Sequence, residues 1–126
     1  YTAWRLHVAP WGGQRECDPR SVAVSAVITV TLPELADMRA LAPAELNLWN
    51  GYVRELAQHE QRHVELVESG IKELAQEIHS SPDCNRIYSI ARSHDLRINA
   101  RSAQLDVETE HGRTEGARYP EVASPG

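Results

Sequence analysis

The residues His59-Glu60-Gln61-Arg62-His63 carry the clearest chemistry in this chain. In a helix, positions 59 and 63 lie one turn apart on the same face. At that spacing two imidazoles can hold one Zn²⁺ at the usual bond length of about 2.0–2.1 Å. Glu60 sits beside the first imidazole, within reach of a water bound to such an ion. Zinc lowers the pKa of that water toward about 7, and a neighbouring carboxylate can take its proton as it attacks a carbonyl. The spacing therefore points to hydrolysis of a peptide or related amide bond, with Glu60 as general base. The competing reading is a solvated helix face that happens to carry two of the six histidines.

The surrounding elements weigh against a solvated face. From about Ala44 an apolar stripe runs through Leu46, Trp49, Val53 and Leu56, then Val64, Val67, Ile71, Leu74 and Ile78. Steps of three and four residues mark one face of a long helix over about 44–79, with Pro43 suited to its first turn. Glu60 and His63 fall on that stripe, where an unpartnered charge is costly. Ser80, Ser81 and Pro82 break the helix. Asp83 can cap a second helix over about 83–110, with Ile87, Ala91, Ile98 and Leu105 inward and Gly112 as its stop. Upstream, Trp4, Leu6 and Val8 alternate with Arg5 and His7, predicting a strand over about 3–9 with His7 exposed. Val22, Val24, Ala26, Ile28, Val30 and Leu32 alternate with polar residues in a second strand over about 21–32, ended by Pro33. The segment 10–20, with Gly12-Gly13 and Pro19, reads as a loop. Residues 33–43 read as a loop with one helical turn, and 112–126 as an irregular tail.

A catalytic zinc usually takes three protein ligands and a water. His79 lies more than four turns along the same helix and is too far away. His94, beside Asp95, reads equally as a core or a surface histidine. His111, at the end of the second helix next to Gly112, can be turned back toward the first helix by a chain reversal. It is the favoured third ligand, with Glu110 and Asp106 as alternatives. Asp106 could instead orient a ligand imidazole from outside the coordination shell.

Composition sets outer limits. The 126 residues, 41% hydrophobic and 25% charged, suit a single globular domain. The net charge of −5 is interspersed and shows no basic stripe, which argues against a nucleic-acid surface. No run approaches the roughly 20 apolar residues of a membrane span, and Tyr1 opens directly into a strand pattern with no signal segment in this sequence. The two cysteines, Cys17 and Cys84, are either separate buried thiols or one disulfide. Joined, they would close a long loop, stabilising by about 4 kcal/mol on a chain-entropy argument.

The run from Trp49 through His59-Glu60-Gln61-Arg62-His63, then Cys84, then Asp106-Val107-Glu108-Thr109-Glu110-His111-Gly112, resembles a bacterial family of predicted secreted zinc-dependent proteases, domain of unknown function 922. The likeness extends to Cys17, to the strand ending at Leu32-Pro33 and to the tail from Gly112 to Pro120, although Leu105 stands where an aromatic residue would be expected. The resemblance implies zinc at His59 and His63, and Glu60 as catalytic acid/base. It also places Asp106, Thr109 and His111 in the same site, pairs Cys17 with Cys84, and implies an extracytoplasmic location, secreted or periplasmic.

The expectation is thus one α+β, zincin-like domain over 1–126, a small antiparallel sheet on two long helices with zinc between them. It would act on a peptide or protein substrate; the alternative is a non-catalytic, zinc-stapled domain of the cell envelope. Two smaller ideas concern the substrate. The strand 22–32 could offer an edge to an extended peptide, or be plain core sheet. Arg113 or Tyr119 could stabilise an oxyanion, or be ordinary surface residues.

Overall fold

The computed structural model describes residues 1–9 and 17–115. Two antiparallel strands, β1 (Thr2–Ala9) and β2 (Ala23–Val30), pair in register from Thr2↔Val30 to Ala9↔Ala23. Two long helices follow, α1 (Pro43–His79) and α2 (Ile87–Thr109). Short 3₁₀ turns lie at Pro19–Ser21, Met38–Ala40 and Arg113–Glu115. This is the expected α+β arrangement. The loop over 10–16 and the tail beyond residue 115, Tyr119 included, lie outside the described residues.

Period-2 alternation gives each strand one inward row: Thr2, Trp4, Leu6 and Val8 on β1 and Val24, Ala26 and Ile28 on β2 are half-buried. Val30, in the last strand pair with Thr2, departs from the expected inner row and is exposed. The apolar core gathers Val22, Leu74, Ile78 and Ile87, with Leu6, Val8, Val24, Ile90 and Ala91 packed around them. Cys17 and Cys84 form a disulfide across 67 residues beside this cluster. It ties the entry of β2 to the turn between the helices. No described helix is long and apolar enough to cross a membrane.

Helix α1 begins one residue before the expected Ala44. Pro43 occupies its first turn and the Glu45 carboxylate accepts the Ala42 N–H at 3.2 Å. Its fully buried row is His59, Glu60, His63, Val67, Gly70, Leu74 and Ile78, whereas Val64 and Ile71 sit half-buried at its side. The second helix starts later than expected. Asp83 accepts the Asn85 N–H at 2.9 Å and closes a turn instead of capping the helix, so the regular helix begins only at Ile87. It ends at Thr109, in line with the expected end near residue 110, and Gly112 lies in the reversal that follows. Glu110, His111 and Gly112 all take left-handed conformations, with φ of 50°, 58° and 90°. The following residues Arg113–Glu115 form a 3₁₀ turn where an irregular tail was expected.

The helices run antiparallel in close contact. A Cβ built on Gly70 would fall well inside contact distance of Cγ1 and Cδ1 of Ile98. The glycine thus lets α2 approach at the middle of the helix pair. It offsets an intrinsic cost of about 1 kcal/mol for glycine inside a helix. Gly70→Ala should therefore destabilise the domain by about 1–3 kcal/mol, despite alanine's better helix propensity. Ile98→Val, with one methyl less, should recover part of the loss in the double variant. Urea denaturation of the four proteins checks this; a Gly70→Ala variant more stable than wild type would contradict it.

Candidate metal centre

His59 and His63 are almost fully buried, at 1% and 3% exposure, although both are polar. Their burial follows from the α1 row they share with Val67, Leu74 and Ile78, which faces α2. On α2 the buried row passes through Ile98, Ser102, Leu105 and Thr109, and Asp106 lies one turn beyond Ser102. In the antiparallel pair, Ser102 and Asp106 thereby come opposite His63 and His59.

Three donor atoms converge. Nε2 of His59 and Nε2 of His63 each lie 2.9 Å from Oδ1 of Asp106, and 3.2 Å from one another. The outer ring nitrogens are already engaged. His59 Nδ1 is 2.7 Å from Oε1 of Glu115, and His63 Nδ1 is 2.7 Å from Oγ of Ser102. Glu115 can only accept, so its partner Nδ1 carries the proton, and the Ser102 hydroxyl can accept in the same way. That assignment aims both Nε2 lone pairs at a carboxylate oxygen. Three lone-pair atoms facing one another repel unless a cation or proton sits among them. Two ligands each about 2.05 Å from a tetrahedral ion stand roughly 3.3 Å apart, close to the separations seen here. His59, His63 and Asp106 are the metal-capable group found among the described residues.

Glu60 is buried at 6% exposure. Oγ1 of Thr2 donates to its Oε2 at 2.6 Å, so β1 reaches the site through its first residue. Arg62, one helical position before His63, pairs with the second oxygen of Glu115.

The structure brings Asp106 into the donor group and leaves the favoured His111 outside it. His111 is exposed, its side chain 84% accessible, with Nδ1 3.6 Å from Asp106 Oδ2. The reason is the left-handed run at Glu110–Gly112: the His111 N–H returns to the Asp106 carbonyl at 2.8 Å while its ring turns outward. Glu110, exposed at the helix end, is likewise not among the donors. Thr109 is buried and structural. Its hydroxyl donates to Leu105 O at 2.7 Å and accepts the Gly112 N–H at 3.0 Å, holding the reversal closed. His79 is bonded to Val22 O and His94 to Glu77, both away from the centre. Arg113 is exposed in the 3₁₀ turn.

Ser102, Glu115 and Thr2 were not anticipated. A small polar residue on the buried α2 row, one turn before Asp106, was the available signal for Ser102. Thr2 continues the inward alternation of Trp4, Leu6 and Val8. Nothing in the local pattern pointed to Glu115, which the reversal after α2 brings back to His59.

The electrostatics follow from this packing. Burial, the largest influence on His59, disfavours its cation, but hydrogen bonds to Glu115 and Asp106 and the Glu60 charge outweigh it, raising the pKa above 6.5. Burial likewise opposes ionisation of Asp106, yet its bonds to His59 and His63 hold it below 3.8. The bond to His59 is the main cause holding Glu115 below 4.5. In the metal-free protein, the His59 contribution is complete below its ordinary pKa and fades as pH rises through the raised one. The two acids contribute above their ordinary values and lose that contribution as pH falls through the lowered ones. Metal-free protein should therefore melt highest between roughly pH 4.5 and 6.5. If a metal ion is held by these three side chains, adding zinc should lift the alkaline side most, because metal ligands must be deprotonated. Melting curves across pH with chelator and with zinc check this. A metal-free Tm that keeps climbing above pH 7 would contradict it.

Comparison with known proteins gives one family: a bacterial protein of unknown function (DUF922), whose profile matches residues 1–112. That span includes every element except the final 3₁₀ turn. No curated protein and no solved structure matches the chain. The chain belongs to the bacterial family of unknown function DUF922.

Proposed function

We propose that the chain is a zinc-dependent peptidase domain in which His59, His63 and Asp106 hold the ion and Glu60 is the acid/base. The observation that carries this reading is the meeting of two imidazole nitrogens and one carboxylate oxygen, with both outer ring nitrogens already bonded. Two imidazoles and a carboxylate are a donor set suited to zinc that leaves a position open. When bound, zinc supplies a Lewis acid that makes water acidic near neutral pH. The chain's own residues do the rest. Glu115 and Ser102 fix the ring orientations of His59 and His63. Glu60, next in sequence to His59 and anchored through Oε2 by Thr2, takes a proton from the attacking water and returns it to the leaving amine. Asp106 replaces His111 as the proposed third ligand. His111, 3.6 Å from Asp106 Oδ2, adds positive charge beside that carboxylate when protonated. The disulfide supports an oxidising, extracytoplasmic compartment.

A second reading is a non-catalytic zinc staple, favoured by the fact that the donors come from both helices. The two readings part at Glu60, which a staple does not need.

Glu60→Gln should retain one zinc per chain by elemental analysis, with hydrolysis of a denatured protein substrate reduced by about 10²–10⁴-fold. Undiminished turnover in that variant would remove Glu60 from the mechanism. A zinc-loaded wild type without turnover on any peptide would favour the staple. Glu115→Ala should weaken zinc binding by about 10–100-fold in a competition titration, and unchanged affinity would deny Glu115 its orienting role.

A further inference from the structure

Among the described residues the outer edge of β1 has no partner strand. The Thr31 N–H donates to the Tyr1 carbonyl at 2.7 Å, and the Tyr1 amino group lies 2.6 Å from the Thr31 carbonyl, which marks this as a hydrogen-bonded pair. Bonded and non-bonded pairs alternate along an antiparallel ladder. Ala3, Arg5 and His7 therefore bond to Thr29, Val27 and Ser25, while the N–H and C=O groups of Thr2, Trp4, Leu6 and Val8 turn away from β2. Beside this edge, between β1 and α2, runs a groove of about 500 Å³ with Leu6, Val8, Tyr88, Ala91, Arg92 and Asp95 in its lining. It continues past Trp4 and Asp95 to Thr2 and Asn99. There it reaches the threonine that holds Glu60. Asp106 lies two helical turns beyond Asn99 along α2.

We propose that this groove binds an extended peptide segment, added as a strand to the outer edge of β1 and leading toward Glu60. The unpaired groups are main-chain donors and acceptors repeating every second residue, a pattern that another extended main chain matches. From Val8 to Thr2 the edge spans about 20 Å, room for roughly six residues. Ala91, with its small side chain, leaves the groove open, and exposed Tyr88 offers an aromatic wall of the kind enriched at interfaces. Arg5 and Arg92 flank Asp95 along the groove, so its walls carry charges of both signs and select by main chain more than by net charge. The open groove lies on β1 and not on the 22–32 strand, which packs beside α1. That the bound segment is substrate rests on the peptidase reading; the binding itself does not.

The test is backbone amide exchange, read by NMR on the Glu60→Gln chain, with a blocked peptide of about ten alternating valine and threonine residues. The readout needs neither metal nor turnover, so it stands or fails apart from the zinc assignment. Saturating peptide should slow exchange at Trp4, Leu6 and Val8 by at least about tenfold and leave Ala3, Arg5 and His7 unchanged. The same peptide N-methylated at alternate residues should lose this effect, as should the unmethylated peptide with an Ala91→Trp chain. No slowing at about 1 mM peptide, or slowing at Val24, Ala26 and Ile28 instead, would overturn the proposal. So would protection of the β1 edge that rises with protein concentration alone, since the occupant would then be a second copy of this chain.

Discussion

Two imidazole nitrogens and a carboxylate oxygen, each with a lone pair aimed at the others, meet between two helices. Such an arrangement is unfavourable when bare and favourable around a shared positive charge, whether proton or metal ion. Much of the architecture serves to make this meeting possible. His59 and His63 come from one helix and Asp106 from the other, so the helices must be antiparallel and correctly phased. Gly70 removes the side chain that would hold α2 off, and Ile98 fills the space. At the opposite end the disulfide and the Leu74–Ile78–Ile87 cluster fix where the chain turns between the helices.

The remaining parts hold the rings and the carboxylate in place. Leaving α2, the chain passes through two left-handed non-glycine residues, Glu110 and His111. Such conformations cost of order 1–3 kcal/mol each and persist where surrounding contacts demand them. Here the Thr109 hydroxyl bridges the reversal and the 3₁₀ turn returns Glu115 to His59. Glu115 then sits between a buried imidazole and Arg62. From the other side β1 enters with Thr2, whose hydroxyl fixes one oxygen of Glu60. Elements far apart in sequence thus control the imidazole rings and the Glu60 carboxylate separately.

Legibility from sequence followed the range of the interactions. His59, Glu60 and His63 were readable because helical spacing is local and the apolar stripe of α1 showed which way they face. The strands were readable from alternation, and the cysteine pair was open to two readings until the family likeness was considered. The third donor depends on helix phase across a tertiary contact. His111 satisfied the residue-type argument, but it lies past the end of regular helix, where backbone reversal decides direction. Asp106, four residues after buried Ser102, was in phase. Gly70 carried a signal that went unused: a glycine amid a buried helical row implies close approach of a neighbour. Glu115 had no such signal, because its position is set by the conformations of Glu110 to Gly112.

The most direct measurement of the central claim is X-ray absorption fine structure at the zinc edge on wild-type protein reconstituted with one equivalent of the metal. The account predicts two imidazole shells and one carboxylate oxygen from the protein, with first-shell distances of about 2.0–2.1 Å and a further oxygen from solvent. A spectrum lacking imidazole scattering, or a protein that takes up no zinc, would contradict it.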